Sequence, residues 1–439
     1  MLRKFASPAW AMLEYGWYPL LLFMATPWFL HRLGTEQYGN WMLLTATVGF
    51  GGVLNAGTGA ATIKAVSAGV GRAASHDAER AVRTALGIAL LGGGGLALLV
   101  FCVFWLAGGE LLGRMGSPIL IKLTGVAAAL LIWVEQLDNV FSSAMKGAEQ
   151  FGQAARVEIA SKTLQILAAA AVLLPWPNLW ALYVALLLVS ILRLLAKTII
   201  AKRVLGLSDL HPSLSGTGEI LHFAKWGWLQ GVGGVLFGVA DRMLVGSLLG
   251  AASLAYFSIA SQLAMQVHAV TAAGLSVIFP KVSRKLQDGG SFSLWRVTKL
   301  TMAGNLLLST FIALILVLLG PMLLNTWIGA ERAAPTAQIL PWLVIAYWVL
   351  ALNVVPYYVL LGMGRIRFVG LTALTAGTVA VIAMYMAISR AGLVGAPAGR
   401  GAYAVLSLAM VVPLARHFMR ERSARLTGQP TAPDIEDLP

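Results

Sequence analysis

Four ionisable residues stand inside long apolar runs: Glu135, Asp138, Asp241 and Arg242. A charge at the centre of a bilayer costs about 2.5–3.5 kcal/mol, so each needs a partner or a wet surface. Glu135 and Asp138 are three residues apart and share one helix face. Two acids on one face suit a proton or a coupling cation. They equally suit a structural pair satisfied by a neighbouring Lys or Ser. Asp241 and Arg242 are consecutive, so on a helix they point about 100° apart and cannot simply neutralise each other. Asp241 joins Glu135 and Asp138 as a candidate for a coupling ion.

A second pattern is made of amides and hydroxyls. Ser258, Gln262 and Gln266 recur every four residues, and Ser261 and His268 form an adjoining row. Side chains so spaced lie on one side of a helix, as in the wall of a water-lined cavity. Asn55, Thr58 and Thr62 lead to Lys64 in one apolar run, and His222, Lys225 and Gln230 open another. Glu14 and Lys225 are expected at the membrane interface, and Glu158 with Lys162 as an i,i+4 salt bridge. The aromatics Trp342, Tyr347, Trp348, Tyr357 and Tyr358 read as an interfacial belt, or as a sugar-stacking wall.

Other chemistry finds no foothold. The glycine run Gly92 to Gly95 lacks the Gly-Lys-Ser/Thr of a nucleotide-binding loop and is expected to let helices approach closely. There is no zinc spacing, no Ser-His-Asp motif, and one cysteine, Cys102, in an apolar run. No cofactor or metal is expected, and the chain is not read as an enzyme.

The elements that must position these residues are membrane helices. Of 439 residues, 58% are hydrophobic and 11% charged, against about 25% charged in soluble domains. A spanning helix needs about 20 mostly apolar residues. Twelve such spans are predicted: 11–33, 41–65, 84–108, 121–143, 158–176, 178–200, 223–248, 252–280, 299–321, 337–361, 368–390 and 397–415. The basic start Arg3-Lys4 is followed by a run long enough to span, so an uncleaved first helix is expected. Lys and Arg residues fall overwhelmingly on one side of this twelve-span alternation, Arg193 and Lys197 being counted there, which places both termini in the cytoplasm. The net charge of +14 is this cytoplasmic excess facing anionic lipid. Its dispersal over many segments argues against nucleic acid.

The longest connection divides the chain into two six-helix lobes, residues 1–208 and 216–425, around a central cavity. Residues 426–439 are polar and read as a disordered cytoplasmic tail. Leu33-Gly34 before the second span is echoed by Leu249-Gly250 before the eighth. Val66-Ser67 and Val282-Ser283 close those spans at the same offset.

Three segments carry a family resemblance. Phe29 to Gly39, with Leu33-Gly34 and Tyr38-Gly39, resembles the element after the first span of bacterial polysaccharide flippases, exporters of O-antigen and exopolysaccharide in the multidrug/oligosaccharidyl-lipid/polysaccharide superfamily. Leu54 to Gly57, trailed by Lys64, is similar to their second-span element. Asp241 to Gly250, with Tyr256 and Pro280, is similar to the start of their second half. The resemblance implies a multi-pass protein of the bacterial inner membrane. It would move an undecaprenyl-diphosphate-linked oligosaccharide between leaflets by alternating access through a cavity lined by spans 1, 2, 7 and 8. It implies cationic cavity residues, here Lys64, Lys225 and Arg242; Asn55, Gln230, Gln262, Gln266 and His268, from the polar rows read above, are the further expected substrate contacts. Asn55 stands where many relatives carry an acid. A polysaccharide polymerase and chain-length machinery are the implied partners besides membrane lipids. A cation-coupled multidrug antiporter of the same superfamily is the alternative, and a membrane-embedded glycosyltransferase or polymerase is a second. A lipid II flippase would have two more spans.

Overall fold

A computed structural model describes residues 2–71, 75–275, 291–363, 365–417 and 419. Among them there is no strand. Hydrocarbon offers backbone groups no hydrogen bonds, and helices satisfy them internally.

In the first half the helices are α1 (Leu2–Gly49), α2 (Gly51–Gly71), α3 (Ser75–Ile88), α4 (Gly94–Cys102), α5 (Gly108–Leu111), α6 (Pro118–Gly147), α7 (Phe151–Leu173) and α8 (Leu179–Leu205). The second half holds α9 (Thr217–Gly238), α10 (Ala240–Leu249), α11 (Ala251–Leu275), α12 (Ser291–Ile328), α13 (Ala330–Leu352), α14 (Val354–Gly362), α15 (Ile366–Ala391) and α16 (Pro397–Ser407). They line up as twelve rods. Gly34 interrupts α1, so residues 2–33 form the first rod, and residues 35–49 continue through α2 as the second. Helices α3 to α5, joined by π-helical turns, make the third; α9 with α10 the seventh; α13 with α14 the tenth. Each predicted span falls on one rod, the eighth being described as far as Leu275. The tail 426–439 lies outside the described residues.

Among the described residues, eight helical runs are long and apolar enough to cross a membrane by length and composition. The rods of α1, α2, α7 and α11 carry more polar faces, which the ion cluster and the seam described below use. The most lipid-like surface belongs to α12, where Leu300, Leu307, Leu314 and Leu318 are all exposed.

Sequence sets where the rods end. Asn178 caps α8 by accepting from the Ala181 N–H at 3.0 Å, and Gly206 closes it in the left-handed region, both common helix-end devices. Twelve rods put both termini on one face. On the opposite face, Gly34, Gly116, Gly250, Gly329 and Gly392 all turn the chain with positive φ.

The two halves meet along a seam where α1 packs on α11 and α2 on α9. Near the opposite face Gly39 abuts the Ala251 carbonyl so closely that a Cβ would not fit. Midway, Ala46, Phe50 and Val53 pack on Val235 and Val239. Towards the terminal face, a Cβ on Gly57 would lie 2.5 Å from the Ala224 oxygen and the Trp228 ring. Trp228 donates to the Leu54 carbonyl there at 3.1 Å.

Candidate functional site

Charged groups buried in the first half neutralise one another. Glu135 and Asp138 on α6 face Glu158 and Lys162 on α7 and Arg193 and Lys197 on α8. Lys197 Nζ lies 2.8 Å from Asp138 and 2.7 Å from Glu158. The Arg193 guanidinium lies 3.3 Å from Asp138, 3.2 Å from Glu158 and 3.6 Å from Glu135. Lys162 is 3.9 Å from Glu158 and sits over the Tyr18 ring of the first rod at 4.9 Å. Three acids thus meet three bases. Low dielectric makes such pairing strong, and separating it would leave buried ions without solvation. Arg193 and Lys197, counted above as cytoplasmic charges, are 4% and 1% exposed. They are corrected here to membrane-buried partners. They lie four residues apart inside the predicted span 178–200, and that spacing was the available signal.

Beside this cluster, α6 holds the break between α1 and α2. Gln136 Nε2 donates to the Gly51 carbonyl at 3.0 Å. Asn139 Nδ2 donates to Asn55 Oδ1 at 3.0 Å, tying Asn55 to its own half. Lys64 is exposed further along α2.

In the second half, Asp241 on α10 forms an ion pair with Arg400 on α16. Its other carboxylate oxygen accepts the backbone N–H of Arg242 at 2.7 Å. The Arg400 guanidinium stacks over the Tyr347 ring of α13 at 5.4 Å. Asp241 and Arg400 are 5% and 4% exposed. Arg400 is therefore a buried member of this site, although a count of Lys and Arg for orientation treats it as a charge at a helix end, and Tyr347 is a buried partner of it. Arg400 falls within the predicted span 397–415, which was its signal.

Arg242 differs. It is half-buried, its Nε is buried without a hydrogen-bond partner, and its charge is felt by Tyr18, Tyr38 and Tyr347. Those tyrosines come from the first, second and tenth rods, so the Arg242 charge lies within electrostatic reach of side chains from both halves. The neighbouring Asp241 does not cancel it, because Arg400 holds that acid.

Next to it runs the α11 stripe. Thr26 lies 3.4 Å from both Gln262 Oε1 and the Tyr38 hydroxyl, linking α11 to both limbs of α1. Gln266 Nε2 donates to the Gln262 carbonyl at 3.2 Å. Gln266 and His268 are half-buried, while Ser258, Ser261 and Gln262 are buried. The Ser258 and Ser261 hydroxyls and the Gln262 amide nitrogen have no hydrogen-bond partner. Buried polar atoms without partners are uncommon and mark a place for water or ligand. The side chains of Lys225 and Gln230 lie outside the described residues. No cluster of metal-ligating side chains occurs among the described residues.

This arrangement can hold an anion beside hydroxyl-bearing groups. Comparison with known proteins agrees in kind. A family model described as polysaccharide biosynthesis protein matches residues 66–304. A Shigella flexneri relative assigned as an O-antigen transporter is 22% identical over 398 residues, covering 89% of this chain and 92% of the relative. The fold is similar to that of the lipid II flippase MurJ in an inward closed conformation, with a TM-score of 0.70 at 11% identity, covering 94% of this chain and 87% of that one. It is also similar to an inward-facing multidrug resistance MATE family transporter, with a TM-score of 0.69 at 14% identity, covering 92% and 95%.

Proposed function

The chain belongs to the polysaccharide biosynthesis protein family, and from that premise we propose that it is a flippase for an undecaprenyl-diphosphate-linked oligosaccharide in the bacterial inner membrane. Arg242 carries this reading. Its charge reaches side chains of both halves, its Nε is buried without a hydrogen-bond partner, and the acid beside it is bound to Arg400. A positive group so placed suits the diphosphate, since charge-assisted bonds from arginine to phosphate are strong and directional. The hydroxyls and amides of α11 suit the glycan. Alternating access would need the seam to open at one face while it stays packed at the other, with Lys64, Lys225 and Gln230 as further contacts on the terminal side.

The antiporter reading needs an acid able to take a cation. Glu135, Asp138 and Asp241 are each engaged by a resident Arg or Lys, which favours the flippase.

Deleting the gene and analysing membrane lipids tests the proposal. Lipid-linked oligosaccharide should accumulate on the cytoplasmic face and be cleared by the wild-type gene but not by Arg242→Gln. Altered dye accumulation with normal lipids would overturn it in favour of an antiporter. Incomplete glycan chains would overturn it in favour of an enzyme.

A further inference from the structure

We propose that Asp241 is a built-in competitor for the substrate's phosphate, and that Arg400 exchanges it for the diphosphate of the bound lipid. The inference deepens the reading above and rests on it. Four observations carry it. Asp241 and Arg400 come from different rods, α10 and α16, so their ion pair is a contact that can be made and broken as rods move. The Arg400 guanidinium is stacked on Tyr347, which holds its plane from one side independently of Asp241. Tyr347 also feels the charge of Arg242, so the two arginines serve one neighbourhood. Finally, Asp241 spends its second oxygen on the Arg242 backbone N–H, which fixes the acid directly beside Arg242.

Phosphate entering beside Arg242 meets an arrangement already built for an anion. A diphosphate carries more charge than one carboxylate and presents more acceptor oxygens, matching the guanidinium fork. Taking Arg400 from Asp241 would loosen α16 from α10 only while the head group is bound. Differential contact of this kind is what lets a ligand shift a conformational balance. Arg400 is then a second phosphate contact and a determinant of charge specificity, and Asp241 keeps the site from holding stray anions.

The test is binding of farnesyl diphosphate to purified full-length protein in detergent, measured calorimetrically beside inorganic pyrophosphate. Arg400→Gln should weaken farnesyl diphosphate by about tenfold or more, the scale of one charge-assisted hydrogen bond. Asp241→Asn, nearly isosteric, should tighten it by a similar factor. A purely structural pair would lower affinity in both variants, and that result overturns the proposal. If Asp241→Asn does not fold, Arg400→Gln still decides: wild-type affinity in that variant overturns the exchange. Arg400→Lys, which keeps the ion pair, should retain most affinity. Preference for farnesyl diphosphate over pyrophosphate supports a lipid head group; equal affinity overturns that assignment in favour of a soluble phosphate. Loss of binding in Arg242→Gln with unchanged binding in Arg400→Gln sinks the exchange alone. Unchanged binding in Arg242→Gln sinks the function itself.

Discussion

Gly34 and Gly250 hold nearly the same backbone conformation, with φ and ψ of 76° and 170° in the first and 87° and −179° in the second. Each turns the chain between two rods, one in each half. Only glycine enters this region readily, and forcing another residue there costs on the order of 1–3 kcal/mol. Both Gly34→Ala and Gly250→Ala should lower the thermal unfolding midpoint in detergent. Gly250→Ala should lower it more, because its Cβ would meet the Arg114 carbonyl at 2.7 Å while Gly34 has open space. Equal midpoints for the two variants would contradict this.

The six-member ion cluster makes a sharper stability prediction. Lys197→Met leaves Asp138 and Glu158 short of a buried partner, and orphaning such a group typically costs about 3–5 kcal/mol. Glu135→Gln should cost under about 1 kcal/mol, since Glu135 is 31% exposed and makes one long contact. The pair Asp138→Asn with Lys197→Met should cost less than Lys197→Met alone. Denaturant unfolding of the four proteins would settle the ranking.

The number and placement of the rods were legible because lipid imposes a length and an apolarity on every span, and Gly34 and Gly250 marked their turns in the primary structure. The partners of the buried acids were harder to read. Arg193, Lys197 and Arg400 look like loop charges when Lys and Arg are counted for orientation, although each falls inside a predicted span. Which acid a base meets depends on how α6, α7 and α8 are rotated against each other, and a largely apolar helix gives few cues to its rotation. The echo Leu33-Gly34 and Leu249-Gly250 was weak as letters because apolar matches arise by chance; it is firm as geometry because the glycine conformation is restrictive.

The two ends of the seam should respond oppositely to one methyl group. At Gly39 a Cβ meets the Ala251 carbonyl, and at Gly57 it meets the Ala224 carbonyl and Trp228. Backbone cannot step aside as a side-chain tip can, so overpacking here costs about 1–3 kcal/mol or separates the helices. Gly39→Ala should expose the opposite face of the seam to thiol reagents, and Gly57→Ala the terminal face, read with single cysteines placed at Thr35 and Thr58 in a Cys102→Ser background. The same pattern of labelling in both variants would show that the two ends do not close independently.

The connection between the halves is clasped to the start of α3, and that clasp should open in acid. Glu79 accepts from the Ser208 hydroxyl at 2.9 Å and the Asp209 N–H at 2.8 Å. Arg83 pairs with Asp209 at 2.9 Å and donates to the His211 carbonyl at 2.9 Å. The Thr84 hydroxyl donates to the Ser215 carbonyl at 2.6 Å. The Asp209 N–H holds the Glu79 carboxyl below its ordinary value, and the His211 N–H does the same for Asp209. A carboxylate whose folded pKa is depressed contributes stability above its unfolded pKa and loses it as pH falls through the folded one. The clasp should therefore hold at neutral pH and weaken as pH drops through the ordinary glutamate value of 4.5 and below. Both groups face water, so added salt should weaken it as well. Hydrogen exchange of residues 207–215, corrected for intrinsic rate, should show protection lost in acid, and lost at neutral pH in Glu79→Gln. Protection that persists in acid would mean that Thr84 and the backbone contacts hold the connection without the carboxylates.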